Sequence, residues 1–291
     1  MQLMKTLPVF FSPEMVADSS SYSPSAGKPR QVVDSWKALG LPLEFHAPEP
    51  VTPAEFALAH DAKFVDAVLA LRADNGFGNR SRAVAASLPW TSGAMRSAAR
   101  HAWRHGGAAV APCSGFHHAG WAQVSGFCTF NGLMVTAATL HAEGAARIGI
   151  LDCDQHFGDG TKDIIEKLGA SKWVRHFTAG QHSHSPGDAP AFFERLPGVL
   201  RTFADCDVVL YQAGADPHVD DPLGGWLTTA QLLERDRLVF QWLAAQGTPV
   251  AWNLAGGYQK EPDGSIPKVL EIHDNTMRAC AEVFLGATLA R

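Results

Sequence analysis

One stretch of the sequence, Ile148 to Thr161, combines an apolar run with closely spaced residues that can bind metals. Asp152, Asp154 and His156 occupy alternate positions at the end of that run. In an extended segment, residues at positions i, i+2 and i+4 point to the same side of the chain. Carboxylates and imidazoles are common ligands of metal ions in proteins. The spacing therefore predicts the beginning of a metal site at the end of a buried strand.

Three other stretches place polar residues directly after apolar, strand-like runs. They are His117 and His118 after Ala108–Pro112, Asp216 and His218 after Val208–Gln212, and Tyr258 after Val250–Leu254. Each stretch alone has a simpler interpretation, such as a packed histidine pair, a helix cap or a turn. In a parallel sheet, however, the carboxyl ends of the strands meet at one edge, where open α/β sheets bind their ligands. The four stretches together therefore predict one site.

The elements needed to position these residues alternate along the chain. Strand-like runs alternate with helical patterns, which predicts an α/β fold with a parallel sheet covered on both faces. Thr52 begins a helical pattern that continues to Leu71, whereas Asp74–Leu88 is polar and predicts a long loop. No linker divides the sequence, so we expect residues 1–291 to form a single domain.

Composition excludes several classes of function. The chain has 291 residues, 46% of them hydrophobic, and a formal net charge of -5, so nucleic-acid binding is not expected. No apolar run approaches the roughly 20 residues of a membrane helix. Five cysteines without regular spacing indicate reduced thiols. We therefore expect a cytoplasmic protein that acts neither on nucleic acids nor in a membrane.

The motifs together resemble the histone deacetylase family, which includes acetylpolyamine amidohydrolases and bacterial deacetylase-like amidohydrolases. The resemblance rests on GFHHA, SGFCTFN, LDCDQHFGDGT, AGADPHVDDPLGG and AGGY in this order. It implies an arginase-deacetylase-like, three-layer α/β/α fold with a central, mainly parallel sheet of eight strands. It covers residues 90–260 most clearly.

The resemblance assigns a metal site to three of the residues. Asp154, His156 and Asp216 match the family's zinc ligands. Two carboxylates and one imidazole leave room for a water and a substrate carbonyl, as a catalytic zinc site requires. The same oxygen-rich set also suits other divalent metals, such as Fe²⁺ or Co²⁺. Because the matching residues bind zinc in the family, Zn²⁺ is the cofactor that the resemblance implies.

The resemblance also assigns catalytic roles. His118 matches a general base that later acts as the acid, and His117 matches its electrostatic partner. Asp152 and Asp159 match the carboxylates that orient His117 and His118, respectively. Tyr258 matches a tyrosine that donates a hydrogen bond to the developing oxyanion.

Further resemblances concern a second ion, the substrate pocket and one arginine. The residues that match a structural K⁺ site are Asp152, Asp154, His156, Thr178 and Ala179. The residues that match the substrate pocket are Phe127, Gly126, Leu223 and Gly257. Arg30 resembles an arginine near an internal product channel, although a plain surface arginine is nearly as compatible with its position.

The function that follows is a zinc-dependent amidohydrolase. It would remove acetyl, or another short acyl group, from an amine such as acetyl-lysine or an acetylated polyamine. The alternative is a catalytically weak protein that binds acyl-amines on the same fold. An arginase-type enzyme with two manganese ions would need further Asp and His ligands, which the motifs do not supply. The oligomeric state is left open.

Overall fold

The computed structural model describes residues 5–286, and their centre is a sheet in which all neighbouring strands run parallel. The order across the sheet is β2-β1-β3-β7-β6-β4-β5. The strands in chain order are β1 Leu7–Phe10, β2 Leu43–His46, β3 Ala108–Ala111, β4 Ile148–Asp152, β5 Val174–Thr178, β6 Val208–Gln212 and β7 Val250–Asn253.

Helices connect these strands and cover the sheet. They are α1 Lys28–Ala38, α2 Pro53–Phe56, α3 Ala62–Leu69, α4 Arg82–His105, α5 Gly132–Ala142, α6 Asp159–Leu168, α7 Ala189–Arg201, α8 Thr229–Gln246 and α9 Pro267–Leu285. Among residues 5–286, no helix is both long enough and apolar enough to cross a bilayer. The predicted closing helix, Ile266–Leu289, extends past residue 286, so its last residues lie outside the described range.

The core lies in two layers, one on each face of the sheet. Alternate residues of β4 and the position after it illustrate the division, because Ile148 and Ile150 pack into one cluster while Leu151 and Cys153 pack into the other. The first cluster includes residues of α3, α4, α5 and α6, and the second includes residues of α1, α7, α8 and α9. Such burial on both faces requires the continuous apolar strands seen in the sequence. The predicted three-layer α/β fold is confirmed.

The number of strands differs from the prediction. The resemblance predicts eight strands, whereas residues 5–286 form seven. At the sheet edges, β2 and β5 each have one neighbour and are only partly buried, and no other segment of the described chain pairs with them. Short, half-exposed strands of this kind lack a strong apolar pattern, and β2 was not evident from the sequence for that reason.

Two helix boundaries also differ from the prediction. The predicted loop over Asp74–Leu88 ends early, because α4 begins at Arg82 with the Ser81 hydroxyl accepting a hydrogen bond from Val84 N. The predicted helix from Thr52 to Leu71 is divided into α2 and α3. Asp61 separates them, since its carboxylate accepts hydrogen bonds from two backbone N–H groups in the first turn of α3.

Candidate active site

The carboxyl ends of five neighbouring strands, β3, β7, β6, β4 and β5, lie side by side at one edge of the sheet. Each of the four polar stretches follows one of the first four of these strands. The register aligns Asp152 of β4 with Gln212 of β6 and with Thr178 of β5. The topology therefore brings the predicted residues of separate motifs to one place, although more than 100 positions separate His117 from Tyr258 in the chain.

Asp154, His156 and Asp216 converge at the centre of this edge. His156 Nδ1 lies 3.3 Å from Asp154 Oδ1 and 3.2 Å from Asp216 Oδ2. One ligand atom from each residue lies within 4.8 Å of the others, and this is the one such group found among the described residues. Asp154 and Asp216 are buried, whereas His156 is partly exposed. The donor set is that of a divalent metal site with an open side.

The charges at these three residues also fit a cation. Burial and the neighbouring Asp154 carboxylate raise the pKa of Asp216 to about 7. Hydrogen bonds from His156 to Asp154 and Asp216 raise the pKa of the imidazole to about 10. Two buried carboxylates thus require positive charge between them, and a proton on His156 provides it in the metal-free site. A divalent ion would supply that charge and release the proton, as metal binding to histidine requires.

Backbone groups fix the two carboxylates in place. Gly256 N donates to Asp154 Oδ2 at 2.9 Å, and Gln155 N donates to Asp216 Oδ1 at 3.2 Å. A Cβ atom at Gly256 would lie 2.1 Å from Asp216 Oδ2, so only glycine leaves space for that carboxylate. The loop after β7 therefore shapes the metal pocket as well as carrying Tyr258.

The two histidines of the GFHHA motif each contact a different carboxylate. His117 Nδ1 lies 2.7 Å from Asp152 Oδ2, and His118 Nδ1 lies 2.6 Å from Asp159 Oδ1. The rings are 4.1 Å apart, and His117 Nε2 lies 3.5 Å from Asp154 Oδ1. His117 therefore lies between two carboxylates, whereas the contact of His118 Nδ1 with Asp159 fixes the tautomer of the neutral ring and leaves Nε2 free to accept a proton.

The surroundings give the two imidazoles different proton affinities. Burial opposes protonation of His117, but the Asp152 and Asp154 carboxylates outweigh it and raise its pKa to about 9. Burial and the adjacent His117 lower the pKa of His118. His118 is therefore the better candidate for a neutral proton acceptor near pH 7.

Tyr258 faces the same pocket. Its backbone N donates to Asp221 Oδ2 at 2.8 Å, and its ring lies 5.6 Å from that of Phe127. Burial, followed by Asp216 and Asp154, holds the pKa of the phenol well above its usual range. The hydroxyl therefore stays protonated and can donate a hydrogen bond. The residues around this small pocket are Ser25, Gly115, His117, Gly126, Phe127, Cys128, Asp154, Gly256 and Tyr258.

The four predicted substrate-pocket residues differ in their positions. Phe127 and Gly126 line the pocket, and both have positive φ angles, 63° and 51°. A Cβ atom at Gly126 would lie 2.4 Å from the His118 ring. Gly257 neighbours the pocket and packs toward Ala215. Leu223 is 37% exposed on a loop and does not line it. A substrate would have to extend beyond the pocket to reach Leu223.

The residues assigned to a K⁺ site include two of the proposed metal ligands, Asp154 and His156. Asp152, Thr178 and Ala179 are buried together at the ends of β4 and β5. Both oxygens of Asp152 have protein partners, since Oδ2 contacts His117 and Oδ1 accepts a hydrogen bond from Gln212 Nε2 at 2.9 Å. The Asp152 carboxylate therefore has a defined role without an ion. The K⁺ site stays a prediction.

Lys28, and not Arg30, is the basic residue of α1 that contacts the candidate site. Lys28 Nζ donates to Ala255 O at 2.6 Å and to Gly256 O at 3.1 Å, and the side chain is fully buried. Arg30 instead lies over the Phe11 ring. Lys28 precedes the buried Val32 by four positions, so it belongs to the apolar stripe of α1, and this spacing was a signal for its burial. Lys28 holds the loop that carries Tyr258.

Arg235 of α8 supports the metal ligands from the opposite side and was not identified from the sequence. Its Nη1 donates to Cys153 O at 3.0 Å and to Gly214 O at 2.9 Å, which are carbonyls next to the ligand positions. Its Nε donates to Asp236 at 2.8 Å, and both side chains are buried. One guanidinium thus connects the ends of β4 and β6 to a helix.

We expect Arg235→Met to destabilise the protein by about 3–5 kcal/mol, because it leaves the Asp236 charge and two carbonyls without their partner. Denaturant unfolding of the parent and the variant measures this difference. Arg237→Met is the matched control, since Arg237 pairs with Glu282 at the surface and should cost less than about 1 kcal/mol. Equal stability of the two variants would contradict the role assigned to Arg235.

Comparison with known proteins identifies the family. A model of the histone deacetylase domain matches residues 25–189 and 188–270. The chain belongs to the histone deacetylase family. An uncharacterized protein of Picosynechococcus is 30% identical over 277 residues, covering 84% of this chain and 87% of that protein. The acetylpolyamine amidohydrolase of Mycoplana ramosa is 28% identical over 170 residues, covering 49% of each chain.

Solved structures share the fold. The HD domain of HDA15 has a TM-score of 0.77 at 21% identity, covering 98% of this chain and 91% of that one. The acetylpolyamine aminohydrolase of Burkholderia pseudomallei has a TM-score of 0.70 at 20% identity, covering 96% and 99%. The deacetylase-type α/β fold of the chain is thereby shown, and membership of the family places it among deacetylase hydrolases.

Proposed function

We propose that this protein is a metal-dependent amidohydrolase that removes an acyl group from an amine. The observation that carries the proposal is the convergence of Asp154, His156 and Asp216 next to the two histidine–aspartate pairs and Tyr258. The name of the Mycoplana ramosa relative, an acetylpolyamine amidohydrolase, supports an acylated amine as substrate. Zn²⁺ is the metal that we expect.

Each residue of the candidate site has a separate role in the proposed hydrolysis. A metal held by Asp154, His156 and Asp216 would polarise the acyl carbonyl and acidify the attacking water. His118, oriented by Asp159, accepts the proton of that water and returns it to the leaving amine. His117, paired with Asp152, provides positive charge beside the developing oxyanion. The Tyr258 hydroxyl donates a hydrogen bond to the same oxyanion.

A panel of amides tests the proposal. The zinc-loaded protein is assayed with acetyl-lysine peptides, acetylated polyamines and a trifluoroacetyl-lysine reporter, which is activated toward hydrolysis. Turnover of one natural class with kcat/KM above about 10⁴ M⁻¹s⁻¹ would support an enzyme of ordinary efficiency. Metal binding without turnover of any amide, the reporter included, would contradict the proposal and favour a protein that only binds acyl-amines.

The pH dependence of kcat/KM should reflect the protonation of the His118 imidazole. The base must be neutral, so kcat/KM should fall only as the pH drops through the pKa of His118, which lies below its usual value of 6.5. We therefore expect kcat/KM to stay constant from neutral pH to below pH 6.5. Measuring bound zinc at each pH separates this effect from loss of metal in acid. An acid limb centred at or above pH 7 with zinc retained would contradict the assignment of His118 as the base.

The remaining expectations depend on this proposal. A cytoplasmic location and a structural K⁺ ion stay predictions. For K⁺, titration of the metal-loaded protein with KCl against choline chloride at constant ionic strength should raise its thermal stability. No change in stability with KCl would remove the K⁺ site from the proposal.

A further inference from the structure

A second cavity adjoins the small active-site pocket and has no role in the reaction described above. The two share Ser25, Gly115 and Phe127. The second cavity lies against the first turns of α4, where Val84, Leu88 and other residues form part of its wall. A chain that leaves the pocket between Gly115 and Phe127 would therefore enter this cavity.

The wall of the cavity is suited to an apolar ligand. It includes Phe77, Phe116 and Phe130, and no charged side chain lies among its lining residues. Six hydroxyl groups line it as well, and three of them donate hydrogen bonds within the protein. Ser87 and Thr91 donate to carbonyls of their own helix, at 2.8 and 3.0 Å. The surface offered to a ligand is thus mainly hydrocarbon, and such cavities bind apolar groups rather than water.

The size of the cavity sets the length of that ligand. The centre of a water-sized sphere can occupy about 60 Å³ of it. About 10–15 Å³ measured in this way holds one water, so the cavity has room for about four to six groups of that size. A methylene group is similar in size to a water molecule. The cavity therefore matches an acyl chain about four to six carbons longer than acetyl.

We propose that this enzyme hydrolyses N-acyl amines whose acyl group is of medium length, from hexanoyl to octanoyl. The inference rests on the amidohydrolase function proposed above and names its substrate class. Water adds to the acyl carbon, the C–N bond breaks, and a medium-chain carboxylate and a free amine are released. The carbonyl lies between His117 and Tyr258, and the alkyl chain passes Phe127 into the cavity. Each methylene buried there should raise kcat/KM about fourfold.

Rates on one peptide with different acyl groups test the proposal. Acetyl, butyryl, hexanoyl, octanoyl and dodecanoyl groups are placed on the same lysine and assayed below the concentration at which the substrates form micelles. We expect kcat/KM to rise at least tenfold from acetyl to hexanoyl or octanoyl and to fall at dodecanoyl. A steady decrease from acetyl onward would overturn the inference while leaving the amidohydrolase proposal intact. Inertness toward every amide would instead overturn the amidohydrolase proposal.

Three variants of α4 show whether the cavity binds the chain. Ser87→Phe fills the cavity and should lower the octanoyl-to-acetyl ratio of kcat/KM at least tenfold. Leu88→Ala enlarges the cavity and should move the optimum toward longer chains. Ala86→Phe adds the same ring on the exposed side of the helix and should leave the ratio unchanged. If Ser87→Phe does not fold, the chain-length profile of Leu88→Ala alone tests whether the cavity binds the acyl chain. An unchanged chain-length profile in the variants that fold would contradict binding in this cavity.

Discussion

Tyr258→Phe should lower kcat by about 10²–10³-fold and leave metal binding unchanged. The variant loses one hydroxyl and keeps the ring that packs near Phe127. The raised pKa of the phenol means that the parent tyrosine is a neutral donor at any working pH. A donor directed at a developing oxyanion acts mainly in the transition state, and removal of one typically costs this factor. KM should change little by comparison.

Steady-state kinetics with parallel zinc analysis measures this result. The matched control is Tyr22→Phe, since Tyr22 is 64% exposed and its ring also lies near Phe127, 5.3 Å away. We expect this control to keep kcat within about threefold of the parent. If Tyr258→Phe turned over substrate as fast as the parent, the oxyanion would have to be stabilised by other groups, and the proposed mechanism would fail.

Asp154→Asn should abolish metal binding and lower kcat/KM by more than about 100-fold. Changes to residues that merely support a metal ligand cost 10–100-fold, so neutralising a ligand should cost more. His117 and His156 hold the pKa of Asp154 well below its usual range despite its burial, so the charged carboxylate stabilises the metal-free fold at neutral pH. The metal-free variant should therefore be less stable than the metal-free parent. Loss of stability and loss of metal binding must for this reason be measured separately.

Thermal unfolding with and without Zn²⁺ separates the two quantities. The parent should be stabilised by about 2.7 kcal/mol when free zinc is 100 times the dissociation constant, whereas the variant should not respond. Asp220→Asn is the control, because Asp220 follows the ligand Asp216 by four positions but is largely exposed. Its zinc response should equal that of the parent. Zinc stabilisation of Asp154→Asn equal to that of the parent would exclude Asp154 as a ligand.

The sequence predicted the α/β class and the meeting of four motifs because both depend on local patterns. Buried parallel strands are continuous apolar runs, and the polar residues at their ends share one edge whatever the details of packing. Strand β2 was not predicted because Leu43–His46 is half exposed and lacks a continuous apolar run. The start of α4 was not predicted because a polar, glycine-containing segment precedes it and Pro89 lies within the helix.

The supporting residues could not be predicted in the same way. Arg235 lies in a helix more than 70 positions from Cys153, and only the folded arrangement shows that its guanidinium reaches the Cys153 and Gly214 carbonyls. Lys28 was closer to prediction, since it shares a helical stripe with Val32, but a lysine at a helix start usually faces solvent. The cavity beside α4 depends on side-chain packing, which no single segment reveals.

The proposed catalytic residues and part of the cavity wall belong to different elements of the fold. This separation affects how substrate preference could change among related proteins. The proposed reacting groups lie at strand ends, where the neighbouring Gly256 and the Arg235 side chain of α8 leave little room for change. Part of the cavity wall comes from the first turns of α4, and the α4 residues that line the cavity make no hydrogen bonds to the proposed metal ligands. If the acyl chain binds in this cavity as proposed, substitutions in α4 should alter the preferred acyl length while the chemistry is preserved. Relatives with the same strand ends would then be expected to differ in substrate partly through this helix.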